Sequence, residues 1–78
     1  MNSQDVEFSS HAKRKIFQRK ISRTLILNTL AEPDHIRRSY ENRKIAEKRI
    51  GKLSLRVVFV EERGKIIVVT SHWVTSKP

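Results

Sequence analysis

Seventy-eight residues make one small domain, and an apolar content of 37% gathered into short runs supports a compact core under a charged surface rather than a disordered chain. The absence of cysteine excludes a disulfide framework and a cysteine zinc site, and no apolar run approaches the roughly 20 residues of a membrane span. Seventeen Lys and Arg against eight Asp and Glu leave a net charge of +9, a field suited to phosphates, acidic lipid or an acidic protein.

The opening MNSQDVEF lacks the basic-then-apolar layout of a signal peptide, so a cytoplasmic protein is expected. Residues 1–4 are polar and expected to fray. Asp5 to Phe8 fits a short edge strand through Val6 and Phe8. Ser9-Ser10 offers an N-cap for a strongly basic helix, HAKRKIFQRK, whose apolar stripe is Ala12, Ile16 and Phe17. Ser22 offers a second cap, for a short helix with Leu25, Ile26, Thr29 and Leu30 on one side. Glu32-Pro33-Asp34 ends it, because the residue before a proline avoids helical backbone.

His35 to Tyr40 alternates like a strand, with His35 itself read as a loop residue. Asn42-Arg43 can turn, and Lys44 to Ile50 is taken as another strand before Gly51. Leu53 to Trp73 then reads as a β-hairpin of two β-branched runs about Glu61-Glu62-Arg63-Gly64-Lys65. A two-residue primed turn would force positive φ on Arg63, so a three-residue loop Glu62-Arg63-Gly64 is expected. That register puts Leu53, Leu55, Val57 and Phe59 on one face with Ile67, Val69, Ser71 and Trp73. The other face gathers Ser54, Arg56, Val58 and Val60 with Ile66, Val68, Thr70 and His72. Val58, Val60, Ile66 and Val68 form a partly apolar patch there that a homodimer partner or another protein segment would cover. A two-residue turn would separate Thr70 and His72 from Arg56. Residues 75–78 are expected to be loosely held, with the tail beginning at Val74. The expected fold is α+β: one domain, residues 1–78, with two N-terminal helices packed on one face of a four- to five-stranded antiparallel sheet.

Phe8-Ser9-Ser10-His11-Ala12, Arg19-Lys20-Ile21, Glu32-Pro33-Asp34, Leu55-Arg56-Val57-Val58 and Ile67-Val68-Val69-Thr70, in that order, resemble a small prokaryotic domain of unknown function. That domain is grouped with BrnT-like and, more distantly, RelE/ParE-like toxins of toxin–antitoxin operons. The resemblance covers about residues 8 to 75. It departs from the BrnT-like pattern in having Gln18-Arg19-Lys20 where Lys-His-Gly is usual, and Thr70-Ser71-His72-Trp73 where the last strand ends in Ser-Ala-Arg. It implies a RelE/BrnT-like fold and a metal-independent endoribonuclease that cuts mRNA, free or ribosome-bound, and is neutralised by a cognate antitoxin.

Such cleavage needs a base for the 2′-hydroxyl proton, cations for the charged phosphate and an acid for the leaving oxygen. His72 and His11 are the candidate acid and base, and Arg56 and Arg19 the candidate phosphate contacts. Lys13, Arg14, Lys20, Tyr40 and Thr70 are candidate RNA contacts, Tyr40 as a stacking ring. Trp73 is assigned to packing. The three histidines have no metal-ligand spacing, so no metal and no cofactor is expected. The alternative is a non-catalytic module of the same fold that holds RNA, DNA or an acidic protein by charge.

Overall fold

Alternation of Val6 and Phe8 with Asp5 and Glu7 makes a half-buried strand, and β1 (Asp5–Phe8) opens the computed structural model, which describes residues 5–75. Helices α1 (Ser10–Arg19) and α2 (Arg23–Ala31) follow. Four strands then run in succession, β2 (His35–Arg38), β3 (Arg43–Ile50), β4 (Leu53–Glu62) and β5 (Lys65–Thr75). All five form one sheet in the order β1-β5-β4-β3-β2. β2 to β5 are an antiparallel meander, as short connections favour.

Two parts of the expected architecture are corrected. The sheet is mixed, because β1 lies parallel to β5 with Val6 opposite Ile66 and Phe8 opposite Val68. The helices follow β1 rather than heading the chain. Parallel placement delivers Ser9 to the middle of β5, where α1 must begin in order to cover that strand. There the Ser9 N–H donates to the Val68 carbonyl at 3.0 Å, and the Ser9 hydroxyl donates to the Val69 carbonyl at 3.3 Å.

Both serine caps form as expected. The Ser9 hydroxyl accepts from the Ala12 N–H at 3.0 Å, and the Ser22 hydroxyl from the Leu25 N–H at 3.1 Å. Lys20 closes α1 in left-handed backbone, φ 55°. Pro33 stops α2, and Asp34 turns the chain into β2 by accepting the Arg49 N–H at 2.8 Å.

The core lies between the helices and one face of the sheet. Ala12, Ile21 and Ile26 pack there against Ala46, Leu55, Val57, Phe59, Ile66 and Val68. The stripe expected for α2 is correct, with Ile26 and Thr29 fully buried. That for α1 is corrected: Phe17 is 86% exposed. Ile16 faces the core, and one helical residue further on the side chain has rotated by about 100°, away from the sheet.

The hairpin turn is also corrected. Glu62 pairs with Lys65, leaving a two-residue turn in which Arg63 and Gly64 take φ of 51° and 79°. A primed turn matches the right-handed twist of the strands, which outweighs the ~1 kcal/mol that left-handed backbone costs Arg63. It places Ile66 and Val68, rather than Ile67 and Val69, under the helices. The uncovered apolar patch is therefore made by Ile45, Val58, Val60 and Ile67, all half-buried.

A β-bulge then intervenes. Phe59 pairs with Val68 and Val58 with Thr70, so Val69 is the extra residue. It reverses the facing of every later β5 residue, so Ser71 and Trp73 lie on the covered face and Thr70 and His72 on the open one, as expected. Val74 and Thr75, expected in a loose tail, are strand residues paired with Ser54 and Leu53. The expected frayed start, residues 1–4, and residues 76–78 lie outside the described residues. Among the described residues no helix is long and apolar enough to cross a membrane.

Candidate functional site

Four strands bring one polar row across the open face of the sheet. His35 on β2 is paired with Glu47 on β3, Glu47 with Arg56 on β4, and Arg56 with His72 on β5. Directly opposed residues have β-carbons about 5 Å apart, so the four side chains stand side by side in one row. Arg56 Nε donates to Glu47 Oε1 at 3.1 Å, and His35 Nε2 approaches the same oxygen at 3.8 Å. Arg56, Glu47 and His72 are half-buried, whereas His35 on the edge strand is exposed.

A second guanidinium reaches the row from the helix layer. β1 ends opposite Val68, which leaves the later part of β5 as a free edge. Arg19, in the last turn of α1, donates from Nη1 to the Ser71 carbonyl there at 2.6 Å. Thus His72 has one arginine across the strand pair and another at the strand edge. Burial first, then the charges of Arg56 and Arg19, hold the His72 pKa below the usual 6.5, while Glu47 pulls it upward. The group is a neutral imidazole at pH 7, able to accept a proton beside two fixed cations.

Of the residues proposed from sequence, Arg19, Arg56, Thr70 and His72 come together. His11 does not. It lies exposed in the first turn of α1, eight residues or about 12 Å of helix rise from Arg19. Tyr40 lies in the β2–β3 turn, 77% exposed, at least four strand residues or about 13 Å beyond the row. Lys13, Arg14 and Lys20 are exposed on the helix layer, not on this face. Trp73 packs against the core, as assigned.

Two members of the row went unnoticed in the sequence. His35 is a strand residue rather than a loop residue, and Glu47 joins it to Arg56. Glu47 is the one acidic residue in the basic strand RKIAEKRI, the sole local signal, and only strand register reveals its neighbours. His35 and Glu47 could share a cation, but no group of three or more His, Cys, Asp or Glu stands together among the described residues.

A family model described as Domain of unknown function (DUF4258) matches residues 8–71. The chain belongs to this family. The DUF4258 span includes Arg19, Glu47, Arg56 and Thr70, and stops one residue before His72. No curated protein and no solved structure matches the chain.

Proposed function

We propose that this DUF4258 chain is an RNA-cleaving toxin of RelE/BrnT-like kind, acting without a metal through the open face of its sheet. The observation that carries this reading is the pairing of His72 with Arg56, with Arg19 arriving from α1 beside them. Neutral His72 takes the proton of an RNA 2′-hydroxyl. The freed oxygen forms a bond to the adjacent phosphorus, and the bond from phosphorus to the 5′-oxygen breaks. Arg56 and Arg19 offset the charge that builds on the phosphate oxygens. His35 lies three strand spacings, about 14 Å, from His72, too far to serve the same phosphate. The leaving 5′-oxygen therefore takes its proton from water, and the products are a 2′,3′-cyclic phosphate and a 5′-hydroxyl.

Glu47 holds Arg56 in place until a phosphate competes for the guanidinium. Thr70, next but one to His72 along β5, lies on the same face and offers a hydroxyl to the RNA backbone. The reading carries with it a cognate antitoxin as partner and mRNA, free or on ribosomes, as substrate.

Incubation of the purified protein with an end-labelled mRNA fragment in excess EDTA tests it. Fragments ending in 2′,3′-cyclic phosphate are expected, and none with His72→Gln. An intact transcript, both free and on translating ribosomes, with the protein still folded, would count against it.

A further inference from the structure

The two layers of this molecule carry charge differently. All eight acidic residues lie outside residues 8–31, the stretch that forms the helix layer, while six basic residues lie within it. The ion pairs of the described residues all belong to the strands and their turns: Arg56–Glu47, Lys44–Glu61, Lys65–Glu7, Arg43–Glu41 and His35–Glu47. Lys13, Arg14, Lys15 and Lys20 have no such partner among them. Uncompensated cations on one face mark where an anionic surface gains most.

In the middle of this cationic layer lies an apolar depression of about 770 Å³, floored by Ile16, Phe17 and Ile21 and rimmed by Lys13, Lys20 and Arg23. Phe17 is the most exposed large apolar side chain among the described residues. Arg23 leans the other way, 5.3 Å from the centre of the Phe8 ring, which helps to hold the rim in place. An aromatic ring in a water-facing hollow with a charged rim has the anatomy of a protein interface: an apolar centre and a polar border. A second copy of this chain is a poor occupant, since it would set two uncompensated cationic layers together.

We infer that this depression docks an acidic amphipathic segment of another protein, which places an apolar side chain against Phe17 and carboxylates on Lys13, Lys20 and Arg23. The site is on the helix layer, away from the Arg56–His72 row, so the inference stands whether or not the sheet cleaves RNA. Duplex nucleic acid would satisfy the rim but not the apolar floor; an unpaired base can stack on a phenyl ring, so single-stranded RNA is the competing occupant that the test must include.

The probe is a fluorescein-labelled helical peptide of about 20 residues, with Leu along one face and Glu on the other, followed by fluorescence anisotropy. A control peptide of equal charge carries Gln in place of every Leu. The Leu peptide should bind at least tenfold more tightly than the control. Phe17→Gln should lower its affinity at least tenfold while melting as the wild type does, because Phe17 supports no core contact. Lys13→Glu with Lys20→Glu should abolish binding. Equal affinity for the two peptides, or indifference to Phe17→Gln, would overturn the inference by leaving only bulk charge attraction. A single-stranded RNA of similar length that binds more tightly than the Leu peptide, and depends on Phe17, would overturn it in favour of a nucleic-acid surface.

Discussion

His72 titrates in the company of two guanidiniums and one carboxylate, so its ionisation reports directly on how the row is assembled. Its NMR titration midpoint is expected below 6.5. Arg56→Gln removes a repelling cation and should raise that midpoint, whereas Glu47→Gln removes an attracting carboxylate and should lower it further. The direction has two consequences. Unfolded His72 takes a proton near 6.5 but folded His72 resists it, so this group removes stability as pH falls through 6.5 toward the folded midpoint and contributes no change above 6.5. Cleavage that uses the neutral imidazole should be flat around pH 7 and decline in acid with the midpoint that NMR gives. A cleavage rate that increases on acidification would rule out His72 as the base. Ser71 is a separate case at this scale: its hydroxyl is fully buried and has no hydrogen-bond partner among the described residues. Ser71→Ala should therefore be neutral or stabilising by up to ~1 kcal/mol, read from the urea midpoint.

The β4–β5 hairpin shows what is legible in an element and what is not. Its strands, its loop region and the company of Arg56, Thr70 and His72 follow from two β-branched runs. The turn does not, because the preference against positive φ at Arg63 is a local cost of ~1 kcal/mol, while strand twist acts over the whole hairpin. The bulge at Val69 leaves still less trace in a run of Ile66-Ile67-Val68-Val69 whose every member suits a strand. Turn and bulge offset each other in parity, which is why His72 faces Arg56 by a different route than expected. Arg63→Asn, better suited to left-handed backbone, should stabilise by about 0.5–1 kcal/mol. Ser9→Ala should cost about 1–2 kcal/mol, since Ser9 both caps α1 and ties it to the bulged part of β5. Deleting Val69 would remove only the extra residue, so Thr70 stays opposite Val58 and His72 opposite Arg56 in a regular ladder. That protein should still fold cooperatively, and loss of a cooperative melting transition would contradict the bulge.

Across the whole molecule, charge is arranged by layer. The strands and their turns pair Glu7, Glu41, Glu47 and Glu61 with cations of their own and keep His72 among arginines, whereas Lys13, Arg14, Lys15 and Lys20 of the helix layer have no ion-pair partner among the described residues. Periodicity made both layers visible in outline, including the second helix stripe and the antiparallel meander. The site was legible where one strand pair defines it and lost where distance intervenes. His11 and Tyr40 share residue types with the chemistry, but a helix length and a strand length separate them from Arg56. Glu47 was invisible because its meaning lies in its neighbours on two other strands. With a net charge of +9, RNA affinity should fall steeply between low and physiological salt. His72→Gln, which alters no formal charge on a neutral imidazole, should leave that salt slope unchanged.

The most direct measurement is therefore made on His72→Gln and Arg56→Gln together with the wild type, scoring RNA affinity and the single-turnover cleavage rate in EDTA side by side. The row predicts that each variant loses about 100-fold or more in rate, and that His72→Gln retains the wild-type affinity. Cleavage that survives both substitutions, or that disappears only in proportion to lost binding, would contradict it.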